Sequence, residues 1–300
     1  MISKSILQKL EKINVWAKHA EQFRLQFNQP SQNYRLEEDE DALKCLQREM
    51  PSLYDEIHFD YLPDPVSGDI DAPVCLILHN PGVAEIDMYN YCRVDKVAKD
   101  KVVRNLPEYN IEFNFDGEDE LRQLENRRNV LLEQYYLKPG TSPYALDSSF
   151  DSITLSRKNG GGGRMPRCGS FLWFMALFCK KDIDEARRVA RKVFDLEFFP
   201  YHTKAFQMGD YIPFEKRNKK LGHALSHSLL RDELIKAFAK DNRIFVVRSQ
   251  FVRDYLIHDL QVDPDQIAYF RTPRNASFTA KNLVVSQNSR KRLFEFLELD

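Results

Sequence analysis

The hydrophobic residues of this chain form four short apolar runs, and longer stretches with apolar residues at helical spacing lie between them. A short apolar run that closes with turn-forming residues is typical of a buried parallel strand. The predicted strands are Val74–Leu78, Val193–Phe199, Arg243–Val247 and Gln266–Phe270. Because strands and helices alternate, the pattern predicts an α/β fold with three layers, α/β/α, around a four-stranded parallel sheet.

Helical spacing also dominates the amino-terminal part of the chain. Residues 3–29 predict one helix, and the acidic run Glu37–Asp41 opens a second helix that ends at Pro51. We therefore expect residues 1–70 to form an accessory helical region and residues 71–300 an α/β domain with an insertion at about 100–165. Further helices are predicted at Leu121–Tyr136, Ser170–Cys179, Asp184–Lys192, Leu221–Lys240 and Ser286–Leu299, and one more runs from the residue after Gln250 to Leu260.

Composition restricts the class of protein. Hydrophobic residues make up 43% and charged residues 30% of the 300 residues, which is typical of a globular protein in water. No apolar run approaches the roughly 20 residues needed to cross a bilayer, so we expect no membrane partner. Five scattered cysteines without a CxxC pair favour reduced thiols, and we expect a cytoplasmic protein with neither a disulfide framework nor a zinc cluster.

Charge is distributed unevenly along the chain. Residues 1–150 contain 17 basic and 27 acidic residues, a net charge of −10, whereas residues 151–300 contain 27 basic and 18 acidic residues, a net charge of +9. This asymmetry predicts that a polyanion would bind mainly to the second half. The alternative is that long helices carry uneven charge on faces exposed to water.

Polar residues follow each predicted strand. The clusters are His79-Asn80, Tyr201-His202-Thr203, Arg248-Ser249-Gln250 and Arg271 to Asn275. Because the carboxyl ends of parallel strands meet at one edge of a sheet, where ligands bind in open α/β folds, we expect these clusters to converge. For Asn80-Pro81-Gly82 alone, a simple turn is the alternative interpretation.

The order of these elements and two motifs resemble the uracil-DNA glycosylase superfamily. Asn80-Pro81-Gly82 is similar to the water-positioning motif of its mismatch-specific and single-strand-selective branches. Thr272-Pro273-Arg274-Asn275 is similar to part of the second family motif, in the loop that enters the DNA minor groove. The resemblance covers roughly residues 70–100 and 165–300. The superfamily also includes bacterial antiviral glycosylases that remove modified bases from phage DNA.

The resemblance implies a cofactor-free DNA glycosylase that hydrolyses the N-glycosidic bond of a flipped uracil or, as we favour, of a modified pyrimidine. Asn80 would position the attacking water. The residues expected to contact the base are Pro81, Gly82, Tyr91, Phe199, Tyr201 and Phe270. The residues expected to contact DNA are Arg271, Thr272, Arg274, Asn275, Lys281 and Arg164. No metal and no obligate protein partner are expected.

One position departs from the family pattern. The family usually has a histidine three residues before the proline of the second motif, where it stabilises the departing base, and this chain has Phe270. A phenyl ring cannot donate a hydrogen bond to an anionic oxygen. Either His202 or His79 takes over this role, or the leaving base is one that needs less help.

Three other features leave alternatives open. The glycine-rich run Arg157–Arg164 predicts a flexible surface loop. The alternative is a ligand-binding loop, for which a nucleic-acid backbone suits the run better than a nucleotide triphosphate, because the GK[ST] of a nucleotide-binding loop is missing. His223 and His227 have metal-ligand spacing for one helix face, with ordinary helix packing as the alternative. The whole chain is alternatively a catalytically inert nucleic-acid-binding or defence protein that retains the fold.

Overall fold

The structure, a computed structural model, describes residues 2–26, 33–80, 129–140, 189, 191–203, 206–271 and 283–298. The helices within these ranges include α1 Lys4–Ile13, α2 Val15–Gln26, α3 Glu40–Glu49, α4 Pro51–Tyr54, α5 Met208–Lys220, α6 Ser226–Lys240, α7 Gln250–His258 and α8 Gln287–Leu297. The strands are β1 Ile57–His58, β2 Val66–Gly68, β3 Val74–Leu78, β4 Val193–Glu197, β5 His202–Thr203, β6 Ile244–Val247, β7 Ile267–Phe270 and β8 Leu283–Val284.

The fold is mixed α/β, with a six-stranded, mostly parallel sheet in the order β2-β4-β3-β6-β7-β8. The inner strands β4, β3, β6 and β7 pair in parallel, in registers that oppose Leu78 to Glu197 and Ile77 to Val247. The prediction of four strands omits the antiparallel edge strands β2 and β8. Both have at most three residues, and such short runs carry too little periodicity to predict a strand.

Both faces of the sheet are buried. Alternate side chains of β3 enter two different hydrophobic cores: Cys75 and Ile77 enter the larger one, and Val74, Leu76 and Leu78 the smaller. Helix α8 packs against β3, β6 and β7 and contributes to the smaller core. Helix α7 packs against β6 and β7 and contributes to the larger core. This two-sided burial explains why β3 is a continuous apolar run with no polar face.

The amino-terminal helices share the larger core with the sheet. Trp16 and Phe23 of α2 are buried in the same cluster as Phe194 of β4 and Phe245 of β6. Strands β1 and β2 from the same part of the chain pair with β5 and β4. Residues 2–70 are therefore packed into the body of the α/β fold wherever the structure describes them.

Two predicted helices differ from the structure: one is divided and the other starts later than expected. The helix expected over residues 3–29 breaks at Asn14, whose Oδ1 accepts a hydrogen bond from the Ala17 amide and so caps α2. The helix expected over Leu221–Lys240 starts only at Ser226, and the basic run before it forms the last turn of α5, where cations favour the helix dipole. Gly222, at φ +78°, provides the left-handed residue after α5.

Several other predicted elements lie wholly or partly outside the described residues. Of the predicted helix Leu121–Tyr136, residues 129–134 are helical and the earlier part is not described. The predicted helix Ser170–Cys179, most of Asp184–Lys192 and the glycine-rich run are not described. Pro51, expected to end a helix, does follow the end of α3 and then becomes the first residue of the short helix α4.

Candidate functional site

The carboxyl ends of the four inner strands lie at one edge of the sheet, because these strands are parallel. Main-chain pairing between β3 and β4 continues past their ends: the Phe198 amide donates to the Leu78 carbonyl, and the Phe199 amide to the His79 carbonyl, both at 2.9 Å. This pairing brings the residues after β3 next to the segment that leads to β5. The candidate site is built where these two segments meet.

Asn80 is the best-defined polar group of the candidate site. Its Nδ2 donates to Thr203 Oγ1 at 2.9 Å and to the Thr203 carbonyl at 3.2 Å, and its side chain is half-buried. A carbonyl oxygen only accepts hydrogen bonds, so the amide nitrogen must face Thr203 and Oδ1 must point away from it. The carboxamide is therefore held in one orientation at the end of β3.

His79 precedes Asn80 and is neutral at physiological pH. Burial, with a smaller contribution from the positive charge of Arg248, lowers its pKa to about 4. Its Nε2 is buried and has no hydrogen-bond partner among the described residues. A buried imidazole nitrogen without a partner is uncommon in folded proteins, and a bound water or a functional contact would satisfy it.

His202, the other candidate for leaving-group stabilisation, lies in the core. It is fully buried in β5, and its Nε2 lies 3.0 Å from the Leu62 carbonyl, to which it can only donate. Its ring packs against Tyr61, with 5.4 Å between the centroids. Because these contacts join β5 to residues 61–62, the structure gives His202 a structural role and leaves His79 as the histidine at the strand end.

Three residues predicted to contact the base are also core residues. Tyr201 is fully buried and its hydroxyl donates to Asp39 Oδ2 at 2.8 Å, while burial and the nearby Asp39 raise its pKa well above the ordinary value. Phe199 is fully buried and stacks on Phe206 with the centroids 5.0 Å apart. Phe270, only 3% exposed, belongs to the smaller core. These rings pack the two faces of the sheet and present no open face for a base.

The ends of β6 and β7 contribute positive charge to the same edge. Arg248 follows β6, Arg271 follows β7, and both are exposed. Ser249 caps α7, with Oγ accepting from the Val252 amide at 3.4 Å. The remaining predicted site residues, which lie outside the described ranges, are Pro81, Gly82, Tyr91, Arg164, Thr272, Arg274, Asn275 and Lys281.

A buried ionic network supports the end of β4, and sequence reasoning missed it. The fully buried Arg231 donates to both carboxylate oxygens of Glu215, at 3.1 and 2.9 Å, and to Asp232 Oδ1 at 2.8 Å. It also donates to the Phe198 carbonyl at 3.0 Å, and its guanidinium lies 3.7 Å from the centroid of the Phe198 ring. The available signal was the pair of opposite charges Arg231-Asp232, which follows the apolar residues Leu229 and Leu230 in α6.

His227 has a structural role that differs from metal binding. Trp16 Nε1 donates to its Nδ1 at 3.1 Å, so its Nε2 carries the proton and donates to the Glu197 carbonyl at 2.7 Å. Both ring nitrogens are therefore used, and His223 lies before α6 and not on the same helix. Within the described residues, no group of three or more His, Cys, Asp or Glu side chains is placed to hold a metal.

Comparison of the chain with protein-family models, with characterised proteins and with solved structures finds no match. None of the helices in the described ranges has the length and apolar character needed to span a membrane. The resemblance to uracil-DNA glycosylases and the cytoplasmic location therefore stay predictions from the sequence.

Proposed function

We propose that this protein is a DNA glycosylase that hydrolyses the N-glycosidic bond of a flipped pyrimidine. We favour a modified pyrimidine over uracil as the substrate. The observation that carries the proposal is the carboxamide of Asn80, held by Thr203 at the end of β3. We also propose that the sheet and its helices form three layers, α/β/α, with β4, β3, β6 and β7 as the parallel core. DNA is the proposed partner.

The chemistry requires a placed water and a stabilised leaving group. Cleavage of a glycosidic bond passes through an oxocarbenium-like state, which water attacks without needing a strong base. An amide oxygen that points away from its anchor is suited to orient that water by accepting a hydrogen bond from one of its O–H groups. Because Thr203 fixes the amide, little reorientation is needed when the reaction occurs.

His79 is the proposed hydrogen-bond donor to the departing base. With a pKa of about 4 it is neutral at pH 7, and a neutral imidazole donates one hydrogen bond without adding a full charge to the pocket. Its buried Nε2, which lacks a partner among the described residues, provides the group for this contact. We assign this role to His79 in place of His202, whose Nε2 binds the Leu62 carbonyl.

One observation favours the alternative, an inert nucleic-acid-binding or defence protein that retains the fold. Phe199, Tyr201 and Phe270 were expected to contact the base, and all three are core residues. A protein that had lost excision would keep such packing while losing the pocket. The two functions differ in one measurable respect, which is whether a base is released.

The test uses labelled oligonucleotides, single-stranded and duplex, that contain uracil or modified cytosines. Strand scission after alkali indicates base excision, direct scission indicates a nuclease, and binding without scission indicates the inert alternative. Asn80→Ala should leave the melting temperature nearly unchanged and reduce single-turnover excision by a factor on the order of a hundred or more.

The matched control is Asn288→Ala, which removes the same carboxamide from an exposed position in the first turn of α8. This variant should excise at the wild-type rate. Wild-type excision by a well-folded Asn80→Ala protein would refute the role of Asn80. Absence of excision from the whole substrate panel, together with tight binding, would select the inert alternative.

A further inference from the structure

Phe251 is an exposed aromatic side chain at the edge of the sheet that carries the candidate site. It lies in the first turn of α7, directly after the end of β6, and is 58% exposed. Among the described residues the large exposed hydrophobic side chains are Leu25, Leu221, Leu229 and Phe251, so Phe251 is the aromatic one in this set. A single exposed hydrophobic side chain is ordinary on a protein surface, and Phe251 is distinguished by its position at the candidate binding edge.

Gly209 in the first turn of α5 fixes the position of this ring. A Cβ atom built on Gly209 would lie 3.0 Å from Cζ of Phe251 and 3.3 Å from both Cε atoms. The tip of the ring therefore rests on the backbone at Gly209 in space that any larger residue would occupy. Gly209 is six residues after Thr203, the partner of Asn80, so one chain segment reaches both features.

Basic residues follow the ends of the two strands that lie next to α7. Arg248 and Arg271 are exposed at the ends of the neighbouring strands β6 and β7. Arg253 of α7 lies over the Tyr269 ring, with 5.0 Å from its Cζ to the centroid. Two acids lie nearby in the sequence: Asp254, which pairs with Arg253 at 3.1 Å, and the exposed Asp210.

We propose that Phe251, supported by Gly209 and flanked by Arg248, is a stacking platform for an unpaired base of a DNA strand bound at this edge. The base would stack on the exposed phenyl ring while Arg248 contacts the adjacent phosphate. Interleaved aromatic and cationic side chains are the usual means by which proteins hold single strands without sequence preference. The choice of DNA as partner depends on the proposed function, but the platform itself requires no excision.

Size favours a base over a protein as the occupant. A stable protein–protein contact buries about 800 Å² on each partner, far more than one phenyl ring provides. A single base matches the area of one ring, and stacking it on an aromatic side chain typically changes affinity by about tenfold or more. The flanking arginines match a phosphate backbone and also make binding sensitive to salt.

The test measures the affinity of the full chain for an unmodified single-stranded oligonucleotide by fluorescence anisotropy. Phe251→Ala should weaken binding by about tenfold, whereas Phe251→Tyr should bind like the wild type because it keeps a stacking face. The matched control is Leu25→Ala, which removes another large exposed apolar side chain from α2. Leu25→Ala should leave the affinity unchanged.

Gly209→Ala provides a second variant that separates ring position from stability. The three atoms nearest to the added methyl all belong to the far end of the Phe251 side chain, so we expect the ring to move before the backbone does. Alanine also favours a helix more than glycine does, so the melting temperature should stay equal or rise while DNA affinity falls. In the Gly209→Ala/Phe251→Ala double variant the loss should equal that of Phe251→Ala alone, because both changes act on one ring.

Equal affinities of the wild type and Phe251→Ala would overturn the platform. So would a wild-type dimer in solution that Phe251→Ala converts to a monomer, since the ring would then be a contact between copies of the chain. The proposed function is tested by a separate result. If an oligonucleotide binds through Phe251 but no base is released, the glycosylase activity is contradicted and the stacking platform is not. If Phe251→Ala changes neither the excision rate nor the affinity for DNA, only the stacking platform is contradicted.

Discussion

Acid should destabilise this protein through His227, a buried imidazole that joins α2 to the end of β4. Burial is the largest cause that lowers its pKa to about 3, and the charge of Arg231 adds to this effect. In the unfolded chain the pKa of a histidine is about 6.5. Below that pH the unfolded state gains a proton that the folded state excludes. The contribution of neutral His227 is therefore complete above pH 6.5 and is lost as the pH falls towards 3.

The magnitude follows from proton linkage. One proton bound only by the unfolded state lowers the free energy of unfolding by about 1.4 kcal/mol per pH unit. Over the window from 6.5 to about 3, the total loss is on the order of 5 kcal/mol. This is comparable with the whole stability of an ordinary domain, about 5–15 kcal/mol. We therefore expect cooperative acid unfolding within this window.

Urea denaturation of the wild type and His227→Gln, at intervals between pH 7 and pH 4.5, measures this effect. Glutamine can still donate to the Glu197 carbonyl but cannot take up a proton. At pH 7 the variant should be less stable by about 1–3 kcal/mol because the contact with Trp16 is disturbed. As the pH falls, the free energy of unfolding of the variant should decrease less steeply than that of the wild type. The difference between the two slopes should be about 1.4 kcal/mol per pH unit, so the two curves approach each other.

The control is His258→Gln, which removes an exposed histidine from the end of α7. It should keep the steep acid dependence of the wild type. The pKa of His79 is also lowered by burial, to about 4, and its contribution cancels because His79 is present in every variant. Parallel stability curves for the wild type and His227→Gln would show that His227 is not the buried group responsible.

Two further predictions concern stability. Arg231→Met should lower the free energy of unfolding by about 3–5 kcal/mol, because it removes the guanidinium that binds both oxygens of the buried Glu215 and, among the described residues, leaves only Lys219, at 3.8 Å, as a cation near this carboxylate. Arg231→Met/Glu215→Gln should recover part of that loss in the same urea titrations, and no recovery would contradict the electrostatic explanation. Gly68→Ala should cost on the order of 3 kcal/mol, because Gly68 has φ +107° and a Cβ there would lie 2.5 Å from the Val193 carbonyl oxygen. Gly140→Ala, with φ +73° and no atom within 4 Å, should cost only about 1 kcal/mol, and equal losses at the two glycines would exclude the steric cause.

The sequence alone determined where the inner strands lie. Val74–Leu78 was located without error, and the other three were located to within two residues at either end. This succeeds because a strand buried on both faces must be apolar at nearly every position, a property that each short segment carries by itself. The same local signals predicted α7 and α8 and the polar residues that follow β3 and β6.

Tertiary structure alone decided which polar residues meet. Asn80 and Thr203 are 123 positions apart, and no local pattern indicates that one holds the other. His202 and His79 were equal candidates in sequence, but pairing of β5 with β1 buries His202 against Leu62, whereas His79 stays at the strand end. Periodicity reports which face of an element is apolar, and hydrogen bonds between distant segments depend on how those faces are assembled. For this reason the edge of the sheet was predictable, and the side chains that share it were not.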